Sequence, residues 1–211
     1  MKIAIIGAGR VGRALGLRWA QKGHEIIFGA RDLKSANVQK ALSEIGANAK
    51  VVSVKEAAAS AKVIVLAIPF SACQAVVQSL GNLRDKILVD STNPFKSDLS
   101  DLSVAAGTSG AQEIARFAKN AQVVKAFNCT GNNNMENPIY GNDRISMFIC
   151  GDSQDAKKVV KDLTEEIDFE VVDAGDLVSA RCLEFLALLW VRLARMQNYG
   201  RDWAFKLVKR P

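Results

Sequence analysis

The first twelve residues constrain the fold more than any other part of the chain. The apolar run Lys2–Ile6 leads directly into residues 7–12, which read Gly-Ala-Gly-Arg-Val-Gly. In a dinucleotide-binding fingerprint of this form, Gly7 permits the tight turn, Gly9 lets the backbone approach a pyrophosphate, and Gly12 lets the next helix pack closely on the strand. Because the motif follows a strand and opens an amphipathic run, it predicts a dinucleotide site in preference to a merely structural glycine turn.

The tip of the second predicted strand indicates which dinucleotide binds. An NAD enzyme usually carries an acidic residue about 20 residues beyond the glycines, where it bonds the ribose hydroxyls. Here Gly29 and Ala30 hold that tip, and Arg31 and Lys34 follow. Two cations suit the 2′-phosphate of NADP. The alternatives are that Asp32 serves as a displaced ribose acid in an NAD enzyme, or that these residues form a solvated loop without preference.

Strand-like and helix-like segments alternate along the rest of the chain. The apolar run 63–67 is typical of a central parallel strand, and residues 53–56 match a helix capping box. We predict an α/β fold: a doubly wound, mostly parallel sheet of about eight strands with its ligand at the carboxyl ends of the strands. The predicted strands are 2–6, 25–28, 50–52, 63–67, 86–90, 122–126, 145–150 and 169–173; the predicted helices are 11–22, 35–46, 53–61, 72–80, 109–119, 154–166 and 178–198; residues 95–107 and the asparagine-rich segment 131–142 are predicted loops.

Composition limits the other possibilities. The 211 residues are 49% hydrophobic and 24% charged, as in an ordinary globular chain, and we expect one NADP-binding domain, 1–211, in which 178–211 is a C-terminal helical extension. The net charge of +6 suits an anionic cofactor, and without aromatic residues interleaved in a basic stripe it does not predict nucleic-acid binding. Four widely spaced cysteines, no metal-ligand pattern, no signal peptide and no membrane-length apolar run predict a cytoplasmic protein without a metal site.

The chemistry expected at the strand ends is hydride transfer. Ile68 and Pro69 can form the apolar wall of a nicotinamide site, and the backbone at Ala126 or the amide of Asn128 can bond the carboxamide. The only histidine, His24, lies in a helix-to-strand turn and is expected to be structural, so no proton donor stands out. Reducing a ketone needs a proton donor, whereas passing a hydride between two redox rings needs mainly positioning. No catalytic side chain is therefore assigned.

Several short motifs occur together in a characteristic order: residues 7–12, 29–31, 67–69, 86–91, 124–128, 151–152, 173–175 and 181–184. Through these motifs, in this order, the chain resembles the NADPH-dependent deazaflavin oxidoreductases, the family of the NADP:coenzyme F420 oxidoreductase, and also the soluble reductase domain of the STEAP metalloreductases. The resemblance covers essentially the whole chain.

The resemblance implies an enzyme that binds NADPH in the fingerprint crevice and passes a hydride to a deazaflavin or a flavin. Gly9, Arg10 and Val11 match the family's phosphate loop, and Ile68–Pro69 matches its nicotinamide wall. Arg31 matches its 2′-phosphate arginine, and Lys34 matches a lysine of the STEAP domain. The family often has serine where this chain has Ala30, which removes one phosphate hydrogen bond and softens the expected preference for NADP.

Two further expectations concern function and assembly. Coenzyme F420, FMN and FAD all remain candidate second substrates, and an NADP(H)-binding sensor or partner subunit without turnover is the alternative to an enzyme. Dehydrogenases of the 6-phosphogluconate or pyrroline-carboxylate type begin similarly but need a large helical C-terminal domain. The last predicted helix is apolar on more than one face, which predicts a homodimer.

Overall fold

Eight strands form one twisted sheet in the computed structural model, which describes residues 1–210. Its strands are β1 (Lys2–Ile6), β2 (Glu25–Gly29), β3 (Ala49–Val52), β4 (Val63–Leu66), β5 (Ile87–Asp90), β6 (Gln122–Lys125), β9 (Ser146–Gly151) and β10 (Glu170–Asp173), and a separate hairpin pairs β7 (Ile139–Tyr140) with β8 (Asp143–Arg144). The sheet order is β10-β9-β6-β5-β4-β1-β2-β3. Every neighbouring pair is parallel except β6 and β9, which run antiparallel. The predicted doubly wound, mostly parallel fold is confirmed.

Helices cover both faces of the sheet. They are α1 (Arg10–Gln21), α2 (Ala36–Ile45), α3 (Val54–Ser60), α4 (Cys73–Ser79), α5 (Gly110–Phe117), α6 (Asn132–Glu136), α7 (Gln154–Glu165) and α8 (Ala180–Met196). One apolar core lies beneath α1, α2, α6 and α7, and the other beneath α3, α4, α5 and α8. The central strands β4 and β5 are buried throughout, as their continuous apolar sequences require when helices pack on both sides.

Strand order places a crevice beside β1. From β1 the chain moves outward to β2 and β3, then returns to β4 on the other side of β1. The connections that leave the carboxyl ends of β1 and β4 therefore run in opposite directions along the sheet, and ligands of open α/β sheets bind at such a switch point.

The local start signals read from the sequence are confirmed. The Ser53 side chain accepts the Glu56 backbone N–H, and the Glu56 carboxylate accepts the Ser53 backbone N–H, so the predicted capping box is complete. Ser109 likewise caps α5 by accepting the Gln112 N–H.

Two segments differ from the prediction. The asparagine-rich segment 131–142, predicted as a loop, contains α6 and most of the β7–β8 hairpin. The predicted helical extension 178–211 is helical through α8 only, which ends at Met196, and residues 197–210 continue without regular secondary structure. Among residues 1–210, no helix is long and apolar enough to cross a membrane.

Candidate functional site

A cavity of about 380 Å³ lies at the switch point beside β1. Three strand-end loops build it, together with the start of α2 and parts of α3 and α4. Its lining consists of residues 6–9 at the end of β1, residues 29–32 at the end of β2, residues 67–69 after β4, and Ser35, Asn37, Val38, Val54, Ala72 and Val76. The cavity therefore lies where the sequence predicts the dinucleotide.

Each glycine in residues 7–12 is required, or suits its position, for a different geometric reason. Gly7 has φ +105°, and a Cβ there would lie 2.5 Å from the Ala67 carbonyl oxygen. At Gly12 a Cβ would collide with the Gly7 carbonyl oxygen, so α1 can approach β1 only through a glycine. No atom of the described residues lies within 4 Å of a Cβ built on Gly9. This open space next to the N-terminus of α1 suits a pyrophosphate, which the free N–H groups of the first turn attract.

Within the described residues 1–210, the rim of the cavity beyond β2 carries one free cation. The exposed Arg31 lines the cavity, and no ion pair or hydrogen bond from these residues engages its side chain. Asp32 also lines the cavity, but its Oδ1 accepts the Lys34 backbone N–H at 2.9 Å. Lys34 itself is exposed and lies outside the lining.

Ser35 is a cavity residue that sequence reasoning did not assign to the site. It is the N-cap residue of α2, yet its hydroxyl makes no capping hydrogen bond. Its neighbours Asn37 and Val38, in the first turn of α2, line the same cavity. A free hydroxyl and a helix N-terminus beside Arg31 favour an anion. The signal was present in the sequence, because a serine begins the predicted helix 35–46.

The predicted site residues divide into two groups. The structure brings Gly7, Gly9, Arg31, Ile68 and Pro69 together around the cavity. The other predicted residues lie outside the lining: Arg10, Val11 and Gly12 in the first turn of α1, Lys34 in the loop after β2, and Ala126 and Asn128 after β6.

Asn128 has its side-chain donors already engaged. Its Nδ2 donates to Asn93 Oδ1 at 3.0 Å and to the Leu183 carbonyl at 3.1 Å. An amide nitrogen carries two hydrogens, so neither is left for a nicotinamide carboxamide. The buried Ala126 donates its N–H to the Asp90 carbonyl. Asn93, after β5, and Asn128 thus form a hydrogen-bonded pair of amides, in which Asn93 is half-buried and Asn128 is buried.

A buried ion cluster lies next to the carboxyl ends of β5 and β6, and sequence reasoning missed it. Lys125 Nζ contacts Asp90 Oδ2 at 2.8 Å, Glu184 Oε1 at 3.0 Å and the Thr92 carbonyl at 2.6 Å. The Glu184 carboxylate also accepts the N–H groups of Gly110 and Ala111 at the start of α5. Burial by itself lowers the pKa of Lys125, but the carboxylates of Asp90 and Glu184 outweigh it and raise that pKa above its ordinary value. The signal was a lysine that directly follows the two valines of β6.

Comparisons with known proteins agree with this geometry. Residues 2–94 match the family model described as NADP oxidoreductase, coenzyme F420-dependent. A relative named F420-dependent NADP reductase, from Methanothermobacter thermautotrophicus, is 32% identical, and the alignment covers 100% of this chain and 96% of the relative.

Two more distant comparisons extend this result. The crystal structure of a putative F420-dependent NADP reductase from Arthrobacter sp. FB24 superposes with a TM-score of 0.90 at 30% identity, covering 99% of this chain and 100% of that one. The rat metalloreductase STEAP3 is 29% identical over 89% of this chain but only 36% of its own length.

Proposed function

Because the chain belongs to the family of coenzyme F420-dependent NADP oxidoreductases, we propose that it transfers a hydride between NADP(H) and a deazaflavin acceptor. The observation that carries the proposal is the cavity at the switch point. A glycine turn with open space above Gly9 forms its floor, and Arg31 and the free hydroxyl of Ser35 stand at its rim.

The cavity lining supports hydride transfer over carbonyl chemistry. Among its residues only Arg31 and Asp32 carry ionisable side chains, and both lie at the β2 end. The apolar wall of Ile68 and Pro69 is at the β4 end. Hydride transfer between two rings needs alignment and exclusion of water, which an apolar wall provides without a proton donor.

The second substrate follows from the family. Relatives carry the name F420-dependent NADP reductase, so we infer that a deazaflavin is the preferred acceptor and that FMN and FAD are weaker alternatives. NADPH oxidation measured with a deazaflavin, FMN, FAD and riboflavin tests this order. Tight NADPH binding without turnover of any acceptor would instead indicate a sensor or partner subunit.

Preference for NADPH over NADH is the first testable prediction. A charge-assisted phosphate contact is worth about 1.5–3 kcal/mol, so Arg31→Ala should weaken NADPH binding about ten-fold or more and leave NADH binding unchanged. Ser35→Ala should give a smaller loss of the same kind. Calorimetric titration of both cofactors measures these affinities.

The matched control for this prediction is Arg84→Ala. Arg84 is an exposed arginine in the turn between α4 and β5 and lies outside the cavity lining, so its removal should leave both affinities unchanged. If Arg31→Ala weakens NADPH and NADH equally, Arg31 does not contact the 2′-phosphate.

We also infer a homodimer formed through α8. One side of this helix exposes Cys182, Phe185, Leu189 and Met196 at helical spacing, with the exposed Arg192 between the last two. Phe185 is 38% exposed, Leu189 47% and Met196 49%. A two-fold axis through this face would bury it against its copy, and two-fold dimers are the commonest oligomers.

Cysteine chemistry supports a reducing compartment such as the cytoplasm. The four cysteines are free thiols, and Cys182 is exposed. Burial raises the pKa of Cys129 to about 12, so this thiol stays protonated. Free thiols persist where the cellular redox poise keeps them reduced.

A further inference from the structure

The order of the strand ends sets a direction along the carboxyl edge of the sheet. From one side to the other, the ends of β2, β1, β4, β5 and β6 follow each other. Arg31 belongs to the β2 end, the glycine turn to β1, and Ile68–Pro69 to β4. If the 2′-phosphate lies at Arg31 and the pyrophosphate at the N-terminus of α1, an extended dinucleotide brings its nicotinamide ring to the β4 wall. The next polar groups in that direction belong to β5.

The β5 end is joined directly to the β4 end. Ser91 donates from its Oγ to the Leu66 carbonyl at 2.6 Å. Asn93 follows two residues later and precedes Pro94. A residue before proline is restricted to extended backbone conformations, so little freedom remains in the Asn93 backbone.

The Asn93 amide group is held at two points by one neighbour. Its Nδ2 donates to the Asn128 carbonyl at 3.0 Å, and its Oδ1 accepts from Asn128 Nδ2 at 3.0 Å. These bonds fix which side of the amide carries oxygen and which carries nitrogen. They use one hydrogen and one lone pair, so one donor and one acceptor remain on a half-buried side chain.

Residues of α8 hold this arrangement from below. The Leu183 carbonyl accepts the second hydrogen of Asn128 Nδ2, and Glu184 bonds Lys125, which in turn donates to the Thr92 carbonyl. Both strand ends are thus attached to the same turn of α8. A polar group supported in this way is pre-organised for a ligand.

We propose that Asn93 is a specificity-determining residue that hydrogen-bonds the amide edge of a redox ring, with Asn128 as its positioning residue. The inference rests on the proposed function. An amide edge offers a hydrogen-bond donor beside an acceptor. It therefore complements the one acceptor and the one donor that remain free on the Asn93 side chain. Two rings present such an edge: the nicotinamide through its carboxamide, and the deazaflavin through its pyrimidine ring.

The test compares ligands that carry and lack the nicotinamide. The probes are NADPH, adenosine 2′,5′-bisphosphate, which has no nicotinamide, and a deazaflavin as acceptor. If Asn93 contacts the carboxamide, Asn93→Ala weakens NADPH binding about five-fold to ten-fold, since one hydrogen bond is lost, and leaves bisphosphate binding unchanged. If it contacts the deazaflavin, both of those affinities stay constant and the KM for the acceptor rises by the same factor.

Further variants separate positioning from folding. Bisphosphate binding shows that each variant is folded, and Asn93→Ser provides a second, small polar replacement. Asn128→Ala should reproduce the selective loss of Asn93→Ala, and the double variant should lose no more than either single variant, because both remove one interaction. Asn82→Ala, in the turn between α4 and β5, is the matched control and should match wild type.

Two outcomes would overturn the inference in distinguishable ways. If Asn93→Ala keeps wild-type values for NADPH affinity, bisphosphate affinity and acceptor KM, this inference is overturned and the proposed function is unaffected. A wild-type protein that does not bind the bisphosphate or NADPH would overturn the proposed function and this inference together.

Discussion

Lys125 shows how a single buried charge can hold several elements together. Its side chain, like those of Asp90 and Glu184, is fully buried. A buried charge is tolerated only when it is paired and hydrogen-bonded. Here one ammonium faces two carboxylates, and one of these also bonds N–H groups at the N-terminus of α5, where the helix dipole favours negative charge. The cluster thereby connects β5, β6, α5 and α8.

Removing the ammonium should be strongly destabilising. Lys125→Met leaves two buried carboxylates without their cation, and breaking a buried pair costs about 3–5 kcal/mol. Urea denaturation of wild type and variant measures the difference in free energy of unfolding. Lys158→Met, which breaks an exposed pair with Asp162, is the control and should show no measurable change. An equally small change in Lys125→Met would show that the cluster is not stabilising.

The pH dependence of this contribution has a definite sign. The folded-state pKa of Lys125 is raised above its ordinary value of 10.5. Its contribution is therefore complete below that value and is lost as the pH rises through the folded-state pKa. The difference in free energy of unfolding between wild type and Lys125→Met should therefore not change with lysine titration near neutral pH. It should become smaller only above about pH 10.5.

At the scale of elements, α6 depends on the C-terminal tail, residues 197–210. A helix of five residues is not stable alone. Asn133 Nδ2 donates to the Arg201 carbonyl at 2.8 Å, and Asn134 Nδ2 donates to the Trp203 carbonyl at 2.8 Å. Trp203 in turn stacks on Trp190 of α8, with ring centroids 5.6 Å apart. The tail thus links α6 to α8.

Trp203→Ala should loosen this region without unfolding the sheet. An aromatic pair contributes about 0.5–1.5 kcal/mol beyond its buried area, and the loss falls on the contacts that join the tail to α6 and α8. Hydrogen exchange should accelerate in residues 131–144 and 197–210 while β1 and α1 keep their protection. Val208→Ala, at a tail residue that is 80% exposed, should change nothing. Faster exchange throughout the sheet, or in neither segment, would contradict the prediction.

At the scale of the whole molecule, the cavity and the exposed side of α8 lie at different parts of the sheet. The cavity opens at the carboxyl ends of β2, β1 and β4, whereas α8 packs on α5 and β9, toward the opposite end of the strand order. A dimer through α8 would therefore leave the opening at Arg31 and Ser35 free. Cofactor binding and assembly should then be separable by mutation.

The dimer is tested by mass in solution. Light scattering should give twice the chain mass of 22.8 kDa. Leu189→Lys should give the single-chain mass and keep NADPH affinity, because it replaces an apolar contact with an unpaired charge in a face that already carries Arg192. Ile139→Lys, at a site 45% exposed on the β7–β8 hairpin, is the control and should remain dimeric. A wild-type mass of one chain at micromolar concentration would exclude this assembly.

The sequence by itself determined the parts of this protein that depend on neighbouring residues. The glycine turn, the capping box at Ser53 and the buried strand β4 each follow from a pattern within a few residues, because backbone conformation, capping and apolar periodicity are local properties. These patterns were sufficient to predict the mostly parallel fold and to place the cavity at Gly7, Gly9 and Arg31.

Only the tertiary structure decided the features that join distant residues. The antiparallel direction of β9, the folding of 131–142 against the tail, the Lys125 cluster and the Asn93–Asn128 pair unite residues separated by 25 or more positions in the chain. No periodicity specifies such a contact, since its energy comes from burial and hydrogen bonding between elements that meet only after the sheet has formed. For this reason the sequence shows that Asn128 is a polar residue at a strand end, but it does not show that the Asn128 amide hydrogen-bonds Asn93 and Leu183.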